Sequence, residues 1–327
     1  MNILLTGSVA YDYLMTFPGY FRDHILPDRL ESISLSFLVT SMVRARGGIA
    51  PNIAYTLALL GEHPRVLAAV GEDFVEYRQW LENNGVDTSG MIVIPGEFTA
   101  SFFATTDLAN AQIASFYPGA MAHAAQLSLV DLPAPKPDLV VISPDDPGAM
   151  ENHIQECTQL GIPYLYDPSQ QVLRFEGEAL RTGLDHAYAL FVNDYEYGLI
   201  QKKTGMSESD LRSQIPLMVV TRGEQGSTIY AGDEMIDIPV IPPVQIVDPT
   251  GVGDAFRGGF LCGLARKLDF ETCGMLGTMA ATYCLEQKGT QKHSYSVAEF
   301  IARLRQYYDD HGKLDCLMVI ESADYPR

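Results

Sequence analysis

The stretch DPTGVGDAFRGGF, Asp248 to Phe260, sets Gly251, Val252 and Gly253 directly before an aspartate, Asp254. From Asp254 onward the apolar spacing is helical, and a strand-like VQIV precedes the glycines. The glycines then lie where a loop feeds a helix N-terminus, and there converging N–H groups and the helix dipole favour an anion. An acid in such a cradle needs a reason. It could serve only as the helix N-cap. Phosphoryl transfer to an alcohol offers another reason, because that chemistry needs donors for the moving charge and a base beside the attacking hydroxyl. In that reading Asp254 accepts the proton, and the amides of Gly251, Val252, Gly253 and Asp254 form the anion hole. The stretch is not a Walker A loop, since no Gly-Lys-Ser/Thr follows, nor a clean G-x-G-x-x-G.

Other segments carry weaker signals. RARGGIAPNIAYTLALLG places Gly47 and Gly48 before a helical pattern, with Asn52 near its start. That is either a plain turn with a cap, or a close backbone approach to a polyhydroxylated ligand with Asn52 as donor and acceptor. VNDYEYG contains Asn193 and Glu196, a spacing common on surface helices. TRGEQGS, Thr221 to Ser227, has a strand end and a glycine turn at Gly223 and Gly226. GSVAYD sets Ser8 and Asp12 just after the first apolar run.

The elements that must position these residues alternate. ILLTG, RVLAAVG, DLVVISP, PYLYDPS, YALFVND and LMVVTRG are continuous apolar runs, as in strands of a parallel sheet. APNIAYTLALLG, EDFVEYRQWLENNG and PGAMENHIQECTQLG between them are helical in pattern, and each ends at Gly. The expectation is a doubly wound, mostly parallel α/β domain over 1–327, with its site at the carboxyl ends of the strands. SISLSFLV breaks the rhythm by alternating Ile33, Leu35 and Phe37 with serines, and FTASFFATTD and QIASFYPG have the same half-buried strand character. These point to a small inserted β lid from segments about 13–40 and 97–119, or to an extra edge of the main sheet.

Of the 327 residues, 47% are hydrophobic and 19% charged, an ordinary globular composition. A net charge of −19 argues against nucleic acid or an anionic membrane as partner, both of which select basic patches. An anionic ligand would have to be met by local amides, a metal ion or a few basic side chains. MNILLTGSVAYDYLM has no basic leader, and no run approaches the roughly 20 apolar residues of a membrane span. The five cysteines form no C-x-x-C pair. Cys262, Cys273 and Cys284 recur every eleven residues on one helical face, and small buried thiols in a reducing cytoplasm explain them more simply than metal ligation.

Taken in order, GSVAYD, the Gly47–Gly48 segment, VNDYEYG, TRGEQGS and the GVGD helix resemble the ribokinase-like (PfkB-type) carbohydrate kinase family. The resemblance implies ATP as donor, held near Asn193, Thr221, Gly223, Gly226, Gly251 and Gly253. It also implies Mg²⁺ supported through water by Glu196 and Asn193. Many relatives use a monovalent cation such as K⁺, which here would involve Asp248 and Thr250. FPGYFRDHILPDRLESISLSFLV, AQIASFYPGAM and DPSQQ are more specific, and resemble the actinobacterial type of adenosine kinase. By that likeness Ser8, Asp12, Gly48 and Asn52 hold a ribose, and Phe102 and Phe116 sandwich adenine. Ser36 and Phe37 would come from a lid strand, across a homodimer if the lid pairs, and Gln170 and Gln171 would lie by the purine edge. Pro249 and Val252 depart from the usual Thr and Ala, without removing any of the four converging amides. The expectation is a cytoplasmic adenosine 5′-kinase. A kinase of ribose, fructose, inosine or guanosine is the nearest rival, followed by a silent nucleotide sensor. A dinucleotide dehydrogenase fails on the missing early glycine fingerprint.

Overall fold

In the computed structural model, which describes residues 1–26, 31–32 and 34–318, all six apolar runs are strands. In chain order the strands are β1 (Ile3–Thr6), β2 (Ala10–Thr16), β3 (Ser41–Gly47), β4 (Arg65–Val70), β5 (Asp87–Val93), β6 (Ala100–Thr106), β7 (Gln112–Tyr117), β8 (Leu139–Ile142), β9 (Tyr164–Tyr166), β10 (Ala189–Asn193), β11 (Leu217–Thr221), β12 (Ser227–Ala231) and β13 (Glu234–Ile238). The helices are α1 (Ile49–Leu59), α2 (Val75–Asn83), α3 (Pro147–Leu160), α4 (Gly177–Leu184), α5 (Asp194–Thr204), α6 (Glu208–Gln214), α7 (Val252–Ala265), α8 (Phe270–Leu285), α9 (Val297–Leu304) and α10 (Asp315–Met318).

Nine strands form one sheet in the order β13-β12-β11-β10-β9-β8-β1-β4-β5. Neighbours are parallel except where β12 meets β11 and β13. Both faces are covered, which is why the strands read as unbroken apolar runs. Ile3 and Leu5 point to a core shared with α1, α2, α7, α8 and α9, whereas Leu4 points to one shared with α3, α4, α5 and α6. From β1 the chain moves outward to β4 and β5, then restarts at β8 on the other side of β1 and moves the opposite way. The crevice beyond the carboxyl ends of β1 and β8 is therefore the switch point where such sheets bind ligands. There the Ser8 N–H donates to the Pro144 carbonyl at 2.8 Å.

Helix α7 is wedged between α1 and α8, and its two adjacent glycines make that packing fit. A Cβ on Gly258 would stand 2.6 Å from the Thr56 Cβ on α1, and one on Gly259 would stand 2.4 Å from the Leu276 carbonyl oxygen on α8. The RGGF that follows Asp254 thus fixes where the start of α7 lies relative to α1.

The smaller sheet has the order β3-β2-β6-β7. It draws on 41–47, beyond the 13–40 segment expected for the lid, because the alternating SISLSFLV is not the strand. Ile33 lies outside the described residues, and 34–39 carry no regular structure. Phe37 packs 5.0 Å from both Phe17 and Phe21, so its apolar character serves an aromatic cluster and not a pleated face. VQIV is likewise no strand: Val244 lies at a bend, and it and Ile246 are exposed. Among the described residues no helix is long and apolar enough to cross a membrane.

Candidate active site

Helix α7 starts at Val252, earlier than the pattern suggested, with Gly251 as its cap at φ +77°. A Cβ on Gly251 would meet the Thr290 Cγ2 at 2.7 Å, so both conformation and space demand glycine. Asp254 is consequently the third residue of the helix, and its side chain makes no cap hydrogen bond. Asn52 is not a cap either, for α1 begins at Ile49 behind Gly48. Instead the two side chains meet across the helix pair, Asn52 Nδ2 donating to Asp254 Oδ2 at 2.8 Å. Both capping alternatives fall together.

Asp254 keeps one edge open to the cleft while protein crowds its carboxylate elsewhere. That burial pushes it up to about 7, against the opposing pull of Arg257 and of the Asn52 donor, while Asp167 pushes in the same direction as burial. Arg257, one turn along α7, is buried and pairs with the fully buried Asp167 at 2.6 Å. Its guanidinium lies so close to the start of the helix that a Cβ on Gly253 would be 2.9 Å from its Nη1. A fixed cation therefore underlies the amide cradle in a chain of strongly negative net charge.

The opposite wall is one crosswise row of the smaller sheet. Asp12 pairs in register with Ala45 on one side and Phe102 on the other, and Phe102 pairs with Phe116. Directly opposed residues share a face. An acid thus stands beside two aromatic rings on one surface. Burial alone raises Asp12 to about 6. Between the walls is an open cavity of about 410 Å³, lined by Ser8, Asp12, Gly48, Asn52, Phe102, Phe116, Gln170, Gly251 and Asp254 of the expected residues. Ala10, Ile49, Ser169, Thr250 and Thr290 complete the lining.

With this geometry, the chain matches the profile of the pfkB family carbohydrate kinases over residues 9–296. The chain belongs to that family. This kinase is 31% identical to a nucleoside kinase of Methanothermobacter thermautotrophicus, over 92% of this chain and 95% of the relative. A Burkholderia thailandensis nucleoside kinase solved in complex with inosine superposes with a TM-score of 0.82 at 38% identity, covering 94% of this chain and 98% of that one. The same enzyme in complex with ADP-inosine gives a TM-score of 0.81 at 39% identity, covering 94% of this chain and 96% of that one. The fold is the ribokinase-like one, with the small sheet as its lid.

The remaining expected residues are distributed unevenly around the kinase cleft. Gln171 is buried away from the cavity, its Nε2 donating to the Asp145 carbonyl at 2.5 Å, so only Gln170 of the pair reaches the pocket. Ser36 and Phe37 do not line the cavity of their own chain. Asn193 and Glu196 form a reciprocal capping box on α5, and Ser169 Oγ donates to Glu196 Oε1 at 3.3 Å. Thr221 pairs in register with Asn193, which puts Gly223 and Gly226 just past the end of the neighbouring strand. Val252 and Gly253 contribute backbone at the helix start. Asp248 accepts the N–H groups of Thr250 and Gly289, at 2.9 and 3.0 Å. Cys262, Cys273 and Cys284 are buried.

Ser169, Arg257, Thr290 and Gln291 are polar residues at the site that escaped the sequence reading. Arg257 had a visible signal, a charge on a helix face otherwise built for burial. Thr290 and Gln291 had none, for they sit in an unpatterned loop about 240 positions from the residues they touch.

Proposed function

We infer that this kinase transfers the γ-phosphoryl group of Mg·ATP to the 5′-hydroxyl of a purine nucleoside. Adenosine is the acceptor favoured by the resemblance of the lid segments, and inosine is the second reading. The observation that carries the nucleoside reading is the Asp12–Phe102–Phe116 row facing Asp254 across one cavity. A free sugar needs polar partners on every side, whereas a base needs flat apolar faces beside the groups that grip its ribose. The inosine complex of a relative 38% identical to this chain supports inosine as the alternative.

In this reading Asp12 accepts hydrogen bonds from the ribose hydroxyls and Ser8 borders the same end of the cavity. The 5′-oxygen faces Asp254, which takes its proton as the bond to phosphorus forms. The Gly251–Asp254 amides bind the developing charge, and Arg257 adds positive potential beneath them. Glu196 and Asn193 satisfy one another in the capping box, so they suit a Mg²⁺ held through water more than one bound directly. Such an ion would neutralise phosphate charge during transfer. A K⁺ ion near Asp248 and Thr250 and a lid-to-lid homodimer belong to the same reading.

The test is ADP release with Mg·ATP, in the presence and absence of K⁺, across adenosine, inosine, guanosine, ribose and fructose. We expect the purine nucleosides to exceed the free sugars in kcat/KM by at least about tenfold, the cost of one lost apolar contact or more. Faster turnover of ribose or fructose would defeat the nucleoside reading and return the two phenylalanines to lid packing.

A further inference from the structure

Behind Asn52, away from the cavity, lies a closed set of polar groups that none of the roles above uses. Gln291 is almost fully buried. Its Nε2 donates to Asn52 Oδ1 at 2.9 Å and to the hydroxyl of Tyr77, and its Oε1 accepts the Trp80 indole N–H at 3.2 Å. The Tyr77 hydroxyl in turn donates to the Gly47 carbonyl at 2.9 Å. Asn52 completes the chain by donating Nδ2 to Asp254.

The direction of this chain is not free. An indole N–H can only donate, so the atom of Gln291 facing Trp80 must be the oxygen. The amide nitrogen then faces Asn52, which must present its own oxygen there. That leaves only the Asn52 nitrogen for Asp254. Reversing either amide would set two donors or two acceptors against each other in a buried place, at the full desolvation cost of each unmade bond.

We propose that Gln291 is a positioning residue for phosphoryl transfer: anchored by the indole of Trp80, it holds the Asn52 amide so that a donor always faces the base. This rests on Asp254 as the base. Asn52 then stabilises the ionised carboxylate through one oxygen and leaves the other for the acceptor hydroxyl. Its own oxygen is engaged, so Asn52 is oriented to serve a bound nucleoside as donor. The same residues tie the base to the lid, since Tyr77 holds Gly47, where β3 ends, and Thr290 Oγ1 donates to the Arg46 carbonyl at 3.0 Å.

The isosteric variant Gln291→Glu tests this directly. Assayed at about pH 9.5, above the roughly 8–9 to which burial can raise a Glu, it is ionised and presents an acceptor to both Trp80 and Asn52, which turns the Asn52 nitrogen inward and sets its oxygen against Asp254. We expect kcat to fall on the order of 10²-fold, the lower end of what a general base supplies, with KM for Mg·ATP changed less than about twofold. Gln291→Met frees Asn52 without reversing it, and should cost on the order of tenfold or less. Equal losses in the two variants would mean that packing and not orientation matters, and would overturn the proposal. So would Gln291→Glu retaining kcat within about threefold at about pH 9.5, where the new carboxyl is ionised. If Gln291→Glu does not fold, Trp80→Phe decides. Losing the anchoring donor should lower kcat several-fold at unchanged KM for Mg·ATP, and an unchanged kcat overturns the proposal. Asp254→Asn is assayed alongside. Full activity there defeats the base assignment and the relay with it, whereas an inactive Asp254→Asn beside an active Gln291→Glu defeats the relay alone.

Discussion

The proposed reaction asks Asp254, as its base, to be charged in a place that disfavours charge. Burial holds its carboxyl at about 7, so in the free enzyme the base is half protonated near neutrality. The acceptor's kcat/KM should therefore rise with pH through about 7 and level off above it, a limb that a pH–rate profile measures. The stability consequence has the opposite sign. Between the ordinary carboxylate range and about 7 the folded state binds more protons at this site than the unfolded chain, so stability falls as pH rises across that window. Asp254→Asn removes the penalty. The variant should lose nearly all kcat and melt higher than the parent at pH 8, with the gain shrinking at pH 5. A gain of equal size at both pH values would show that it has another origin. Asp12, raised to about 6, and Asp145, raised to about 7, are further acids held back by burial near the same strand ends. Residue-scale reading from sequence singled out Asp254 because an acid is rare behind such glycines, and the structure puts it on the cavity wall. It missed Gln291, whose importance comes only from what surrounds it.

At the scale of elements, the cradle depends on Gly251 more than on any side chain in it. An L-residue pays roughly 1–2 kcal/mol to occupy left-handed backbone, and here its Cβ must also displace Thr290. Gly251→Ala should lower unfolding free energy by at least that amount in a denaturant titration. It should also raise KM for Mg·ATP, because the first amide of the helix moves. An unchanged KM would mean that the phosphates are held elsewhere. Six of the nine strands of the large sheet were legible because burial on both faces leaves an unbroken apolar run. SISLSFLV misled because period-two alternation also arises when aromatics cluster beside an irregular chain, as Phe37 does with Phe17 and Phe21. VQIV misled because its apolar residues are simply exposed. The lid strand that was missed, Ser41–Gly47, carries Met42, Val43, Arg44 and Arg46 and has no clean two-residue period. It is held by seven register pairs with β2, a non-local constraint that no local pattern records.

For the whole molecule, the two sheets divide the work. The large sheet and its helices fix Asp254, the amides at the start of α7 and Arg257, while the small sheet brings the row on which the proposed acceptor would rest. β2 follows directly from β1, with only Gly7–Val9 between them, so the acid on the lid row is tied to the switch point while the row's outer end is free. Phe116 sits at that outer end, half exposed, on the edge strand of the small sheet. An aromatic left that open gains little from folding and is well placed to gain from a flat ligand. Replacing it with alanine should therefore cost the fold little and the nucleoside complex much. Base stacking on an aromatic ring is worth roughly 1–3 kcal/mol, so Phe116→Ala should raise KM for a purine nucleoside by about five- to hundredfold. KM for Mg·ATP should remain within about twofold, and slow turnover of ribose should not change, since ribose has no base to lose. Parallel kinetics with one nucleoside and ribose separate these outcomes. If both acceptors weaken alike, Phe116 shapes the lid and the nucleobase must find its apolar contact elsewhere in the cleft.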